Sequence, residues 1–345
     1  MDSDKLEKIR AAARKTDFND QRLNELRDRH RGEGGESEGH IAPYMGYSTF
    51  LKAPQSTDLD TADVALVGVP FDLGVTNRPG ARFGPQQIRG LSAMTTGPMH
   101  HESEIIPALL CNYIDYGDVA LENTYNLEAG IEEIERYFQR LVDADVIPIS
   151  AGGDHSVTYP ILKAVGRDEP VGLVHIDAHA DTGGAFNGSK FHHGGPFRNA
   201  AIAGVLDPER TIQIGIRGRA SPQWDFSYDT GMRVVTVEEF YAMGLEEVIK
   251  EARRIVGDGP TYISFDVDGI DPAFTPGTGT PEVGGLTPRE VQQLIRGLRG
   301  LHLVGGDAVE VAPPYDPTGN TALVAATMMW EMLCVIAESL SGRRA

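Results

Sequence analysis

Three short stretches of this chain carry side chains suited to holding cations. They are His155 in GGDHS (152–156), Asp177, His179 and Asp181 in DAHAD (177–181), and Asp266 and Asp268 in SFDVDGIDP (264–272). In extended backbone, residues i, i+2 and i+4 project to one side. Asp177, His179 and Asp181 therefore converge across the small Ala178 and Ala180, and Asp266 and Asp268 share a side by the same rule. With His155 the set is four carboxylates and two imidazoles. Left alone, four clustered carboxylates repel and raise one another's pKa; two divalent cations balance them. Oxygen-rich ligation with imidazole and no thiolate suits Mn2+, with Co2+ or Ni2+ as further choices, and disfavours structural zinc. Two neighbouring ions can share a water and lower its pKa from 15.7 towards about 7, so the set predicts a dinuclear hydrolase.

Taken singly, the motifs say less. An isolated D-x-D is common as a turn or a single-metal site, and in GDHS both Asp154 and Ser156 can cap a following helix. DAHAD directly after an apolar run is a stronger signal. The argument rests on all three occupying the same topological position.

The elements that must position them are legible in the hydropathy. From Asp63 onward, short apolar runs recur at 64–70, 146–152, 171–177, 211–217, 233–237, 261–267 and 301–306. Between them lie amphipathic stretches such as 127–144, 159–167, 245–256 and 287–298. Runs apolar throughout, rather than alternating, are strands covered on both faces. Strand and helix in alternation predict a mostly parallel central sheet between helices, a three-layer α/β/α sandwich. In such sheets ligands bind beyond the carboxyl ends of the strands, where all three motifs fall.

With 41% apolar residues, 345 residues can bury a sizeable core. No repeat or interior linker is visible, so the expected organisation is a charged arm (1–40) and one catalytic domain (41–345). The arm holds nine basic and ten acidic side chains. Leu6, Ile9 and Ala13 fall at helical spacing, Leu23 and Leu26 suggest a second short helix, and 31–40 reads as a linker. A net charge of −19 disfavours nucleic acid and anionic lipid and suits a cationic ligand. Two cysteines give no disulfide framework, and no targeting segment is visible, so a cytoplasmic, reducing setting is expected. The most apolar segment, 321–340, carries Glu331 and Glu338 and reads as a core helix rather than a membrane span.

The three motifs, with GVPFD (68–72), NRPGARFGP (77–85), PGTGTPEVGGLT (276–287) and GDAVEVAPPYD (306–316), make the chain resemble the ureohydrolase family from about Tyr44 to Leu340. That family includes arginases, agmatinases and guanidino-acid hydrolases. The resemblance implies the same six ligands for two metals: His155, Asp177, His179, Asp181, Asp266 and Asp268. It also implies a proton-shuttling His193 in HGGPF (193–197), where the register prefers it to His192, and a Glu310 that pairs with the guanidinium of the substrate. A hydroxide shared by the metals would attack the guanidino carbon, with Asp181 orienting it and His193 protonating the departing amine. The products would be urea, or a substituted urea, and an amine or ammonia. Trimers or hexamers are usual in the family, and a heteromeric partner is compatible with the sequence.

For the substrate's tail, the expected readers are loops 183–192, with Asn187 and Lys190, and 217–228, with Arg217, Arg219, Trp224 and Tyr228. The basic groups suit a guanidino acid, whereas the second ammonium of agmatine would prefer Asp225. The long charged extension resembles the branch acting on guanidine and on biguanides such as metformin, for which nickel is implied. Two departures from the family, DAHAD in place of the commoner DAHTD and Gly269 where many agmatinases carry Cys, bear on substrate and metal choice rather than on the ligands. The sequence reading ranks small guanidines or biguanides first, guanidino acids second and agmatine third. A reading from another class is a non-catalytic subunit of a heteromer, but the loss of ligands that marks such a role is not seen. Phosphoryl transfer lacks a Gly-rich phosphate loop, and a formimino-group hydrolase is a further family alternative.

Overall fold

The computed structural model describes residues 2–15, 46–95, 97–218 and 223–344. The second short helix expected near Leu23 and Leu26, the linker 31–40 and Arg219 lie outside the described residues. The first arm helix, α1 (Ser3–Lys15), forms where Leu6, Ile9 and Ala13 predict it, but Ile9 stays 49% exposed, so little of its apolar face is covered.

Eight strands make one sheet: β1 (Val64–Gly68), β2 (Tyr113–Asp118), β3 (Ile147–Ala151), β4 (Val171–Ile176), β5 (Leu206–Ile216), β6 (Arg233–Thr236), β7 (Thr261–Asp266) and β8 (Leu303–Val309). Their order across the sheet is β2-β1-β3-β8-β7-β4-β5-β6, and every pairing is parallel. Each of the seven apolar runs supplies a strand. The one the hydropathy does not single out is β2: its sequence YIDYGD is interrupted by Asp115 and Asp118, and it lies at the edge, pairing with β1 among the strands.

Successive residues of a strand face opposite layers, as period-two geometry requires. Leu66 faces a core shared with Ile149, Ile176, Ile263 and Phe265 and closed by α2 (Gly84–Thr95), α10 (Pro288–Arg296) and α11 (Asn320–Arg344). Its neighbours Ala65 and Val67 face a second core with Leu173 and Tyr262, closed by α4 (Leu127–Asp143), α5 (Thr158–Val165) and α6 (Pro196–Ile202). The expected three layers result. Helix starts follow their caps: Asn126 accepts from the Ala129 N–H at α4, and Thr287 with Glu290 forms a capping box at α10.

By length and composition α11 could cross a membrane, yet 83% of its most apolar window is buried inside the protein. Its buried Glu331 is paired with Arg296 at 2.6 Å and lies 3.0 Å from His100. It is a core helix, as its two glutamates predict.

Candidate metal centre

The four central strands β3, β8, β7 and β4 lie side by side, and the residues leaving their carboxyl ends meet. β3 delivers His155, β7 delivers Asp266 and Asp268, and β4 delivers Asp177, His179 and Asp181, while β8 delivers Glu310. Tight turns make this possible. A Cβ on Gly153 would stand 1.6 Å from the Phe71 carbonyl oxygen, so only glycine lets the GGD turn lie against that strand end. A Cβ on Gly269 would come within 2.9 Å of the Asp177 N, so this glycine lets the loop after β7 close onto the one after β4. Asp181 and Glu310 themselves adopt left-handed backbone, with φ of 50° and 64°, a costly conformation that recurs at functional sites.

The structure brings all six expected ligands together. Around His155 Nδ1 stand Asp181 Oδ2 at 3.0 Å, Asp177 Oδ2 at 3.2 Å and Asp266 Oδ2 at 3.3 Å. Around His179 Nδ1 stand Asp268 Oδ2 at 3.1 Å and Asp177 Oδ1 at 3.5 Å. Asp177 thus belongs to both groups through different oxygens. Asp266 also orders its neighbour, accepting the Asp268 N–H at 2.8 Å.

His155 Nδ1 is buried and has no hydrogen-bond partner, a costly state that a cation would relieve. The other nitrogen explains why Nδ1 is left bare. Ser264 donates its proton to Asp307 Oδ1 at 2.7 Å, so its oxygen accepts from the Nε2–H of His155 at 2.9 Å. Asp307 is held in turn by the Thr158 and Tyr262 hydroxyls. A parallel arrangement serves Asp177: Gln213 donates to His175 Nδ1, leaving His175 Nε2–H to donate to Asp177 Oδ2 at 2.7 Å.

The electrostatics match a cation-binding pocket. Burial, with Asp268 and Asp177 close by, drives the Asp266 carboxyl well above its usual range. Burial and the Asp177 charge lift Asp268 to about 6. Burial opposes ionisation of Asp177 too, but the surrounding histidines outweigh it and hold its carboxyl well below the ordinary value. Burial disfavours charge on His155, yet Asp177, Asp181 and Asp266 outweigh it and raise the imidazole, so that without a cation a proton on Nδ1 would take the place that a cation fills. A donor set of oxygens and imidazoles, with an unpartnered buried nitrogen at its centre, fits divalent metal ions.

A cavity of about 500 Å³ opens onto this cluster. Its wall includes His179, Asp181, Asp266, Asp268, His192, His193, Thr76, Thr280 and Glu282. His193 Nδ1 lies 2.9 Å from Glu310 Oε1, and its Nε2 lies 2.6 Å from the Thr76 hydroxyl and accepts the Thr76 backbone N–H at 3.1 Å. His192 instead pairs with the Gly184 carbonyl. Burial opposes charge on His193, but the Glu310 carboxylate outweighs it and lifts the imidazole to about 9. Glu310 sits beneath the cavity wall, 1% exposed; its Oε1 also accepts the His155 backbone N–H, and its Oε2 is buried without a partner.

Five expected tail-readers do not face this cavity, Tyr228 being exposed and absent from its wall. Asn187 is on the exposed outer side of its loop, and Trp224 is not part of the wall. Lys190 lies over the Phe191 ring, its Nζ 4.8 Å from the centroid, and lines a separate depression. The Arg217 guanidinium is taken up by backbone carbonyls, including those of Asp268 and Glu282, both at 2.7 Å. No Lys or Arg belongs to the cavity wall among the described residues. Sequence reasoning passed over His175, Ser264 and Asp307, whose signal was a polar side chain inside a buried strand. It also passed over Thr76 and Glu282, which lie next to or within motifs it quoted.

Comparison with known proteins agrees with this geometry. A model of the arginase family matches residues 62–334. Guanidinopropionase of Pseudomonas aeruginosa is 51% identical over 302 residues, 87% of this chain and 94% of that protein. Mitochondrial agmatinase of Gallus gallus is 48% identical over 305 residues, 86% of this chain and 87% of that protein. The solved structure of proclavaminate amidino hydrolase from Streptomyces clavuligerus superposes with a TM-score of 0.83 at 38% identity, covering 87% of this chain and 100% of that one.

Proposed function

The chain belongs to the arginase family, and from that premise we propose that this hydrolase of guanidino C–N bonds takes a small cationic guanidine or biguanide, such as guanidine or metformin. The observation that carries the reading is the chemistry of the cavity wall: carboxylates and imidazoles, with no Lys or Arg among the described residues. A carboxylate tail would find no lysine or arginine among the described residues of the wall, whereas a delocalised cation is attracted to its carboxylates. A second reading, guanidino-acid hydrolysis, is favoured by the 51% identity to guanidinopropionase. Agmatine, a cation without a carboxylate, ranks third.

His155, Asp177, Asp181 and Asp266 would hold one divalent ion, and His179, Asp177 and Asp268 a second, with Mn2+ or Ni2+ as the candidates. When bound, such ions offset the carboxylate charge and make water nucleophilic at neutral pH. The chain's own groups supply the rest. The unpartnered Glu310 Oε2 would accept from a guanidinium N–H in a charge-assisted hydrogen bond. Asp181 would orient the attacking water towards the planar carbon. His193, made basic by Glu310, would take a proton from that water and return it to the departing nitrogen. Water and guanidinium thereby give urea, or a substituted urea, and an ammonium or alkylammonium ion.

The proposed catalytic unit is residues 41–345. We place it in the cytoplasm as a trimer or hexamer, homomeric or with a related partner, the free buried Cys111 and Cys334 being in keeping with a reducing setting. The test is product release from guanidine, metformin, guanidinobutyrate, guanidinopropionate and agmatine, with Mn2+ or Ni2+ supplied. The reading expects the highest kcat/KM on guanidine or metformin. A guanidino acid turned over at least tenfold better than both would establish the second reading instead.

A further inference from the structure

Both ring nitrogens of His193 are occupied: Nδ1 by Glu310 Oε1 at 2.9 Å and Nε2 by Thr76, through its hydroxyl at 2.6 Å and its backbone N–H at 3.1 Å. A backbone N–H can only donate, so this contact belongs to the neutral ring, with Nε2 bare and the ring proton on Nδ1 facing Glu310. The carboxylates hold the ring charged in metal-free protein, and cations bound beside Asp181 would favour the neutral form. Every proton that His193 gains or gives on the cavity side must therefore pass Nε2. The group that stands there is the Thr76 hydroxyl, itself part of the cavity wall.

From this geometry we infer that Thr76 is a proton relay between His193 and the reacting atoms, an inference that rests on the hydrolytic reading above. In the first half-reaction the attacking water gives a proton to Thr76 Oγ1 as Thr76 gives its own to His193 Nε2. The ring becomes an imidazolium opposite Glu310. In the second, the C–N bond breaks with its electron pair going to nitrogen; Nε2–H returns its proton to Thr76 Oγ1, and Thr76 donates to the departing nitrogen. Thr76 ends as it began, and the net change is one proton carried from water to amine.

The relay is well anchored. His193 N–H donates to the Gly74 carbonyl at 2.9 Å, and the Gly74 N–H donates to Asp154 Oδ2 at 2.8 Å. The segment bearing Thr76 is thus fastened from both sides to the loops it serves. The Thr76 N–H contact to Nε2 belongs to the backbone and survives any side-chain substitution. Thr76→Val therefore removes the hydroxyl while keeping the shape and that tether.

The experiment compares wild type, Thr76→Val and Thr76→Ser, each loaded with Mn2+ or Ni2+, on the best substrate, with Tm measured for each. The relay predicts that Thr76→Val loses about 10- to 100-fold in kcat, the scale of partial loss of general acid–base catalysis, with KM changed less than threefold. Thr76→Ser should recover to within about threefold of wild type. Nitrogen-15 spectra of histidine-labelled protein should show the Nδ1–H tautomer of His193 in wild type. A Thr76→Val enzyme with kcat within twofold of wild type overturns the relay, as does a serine variant as impaired as the valine one, or a resting Nε2–H tautomer. Were wild type itself to release no urea or amine from any guanidine, the hydrolytic reading would fail, an outcome distinct from these.

Discussion

Ser264 decides which nitrogen of His155 faces the carboxylates. Because its own proton is committed to Asp307, its oxygen accepts from His155 Nε2–H, and Nδ1 is left bare among Asp177, Asp181 and Asp266. Groups that orient a ligand in this way are worth about 10- to 100-fold in metal affinity. Ser264→Ala is expected to weaken binding at the His155 group by that factor, measured by competition with a chelator. Affinity unchanged within twofold would show that packing alone orients the ring.

Asp177 contributes one oxygen to each ligand group, so its loss should damage both. Asp177→Asn is expected to hold at most one ion by elemental analysis and to lose about a thousandfold in rate, corresponding to several kcal/mol of lost transition-state stabilisation. Two ions retained with full activity would contradict the assignment.

Removing the metals should destabilise the fold, since buried like charges are then left uncompensated. Ligand linkage gives about 2.7 kcal/mol when a metal is present at 100 times its Kd. Calorimetry after chelation should show a lower Tm that Mn2+ or Ni2+ restores. An unchanged Tm would mean that the cluster does not bind them in the folded state.

The His193–Glu310 pair has a predictable pH signature. Against its ordinary 6.5, the folded-state value of about 9 is raised, so its contribution is fully present below the unfolded value and lost as pH rises through the folded one. In metal-free protein, the stability advantage of wild type over His193→Asn should therefore be greatest below about 6.5 and diminish through about 9. An advantage that grows over that range has the wrong sign for this pair.

Lys190 stands away from the cavity, over Phe191. Lys190→Ala should leave KM for guanidinopropionate and guanidinobutyrate within about twofold, as for other surface changes remote from the site. A tenfold rise would restore it as a reader of the carboxylate.

Much of this was legible in the chain. The strands that carry the site are apolar on both faces, and their hydropathy marks them without ambiguity. DAHAD, DVD and His155 declare themselves by residue type and by their place directly after buried strands. The extended alternation expected of them is not what converges them, since 177–179 bend, Asp181 is left-handed, and His155 and Asp268 lie in 3-10 turns. Other features escaped for physical reasons. β2 is an edge strand broken by Asp115, which is buried against Arg89, and by the half-exposed end at Gly117 and Asp118. The supports of the ligands, His175, Ser264 and Asp307, are single polar residues fixed by groups distant in the chain, His175 by Gln213 at a separation of 38 residues and Ser264 by Asp307 at 43. Arg217 and Lys190 were assigned to a substrate because charge is visible in a sequence, whereas the backbone carbonyls and the aromatic face that engage them are not.

The last strand of the sheet, β8, is seated between β3 and β7, in the middle rather than at a margin. Until residues 303–309 have been synthesised and inserted, the half of the sheet ending in His155 cannot join the half that bears the aspartates. Without that segment neither half has a neighbouring strand through which to reach the other, so the metal centre depends on the last strand of the chain for its assembly.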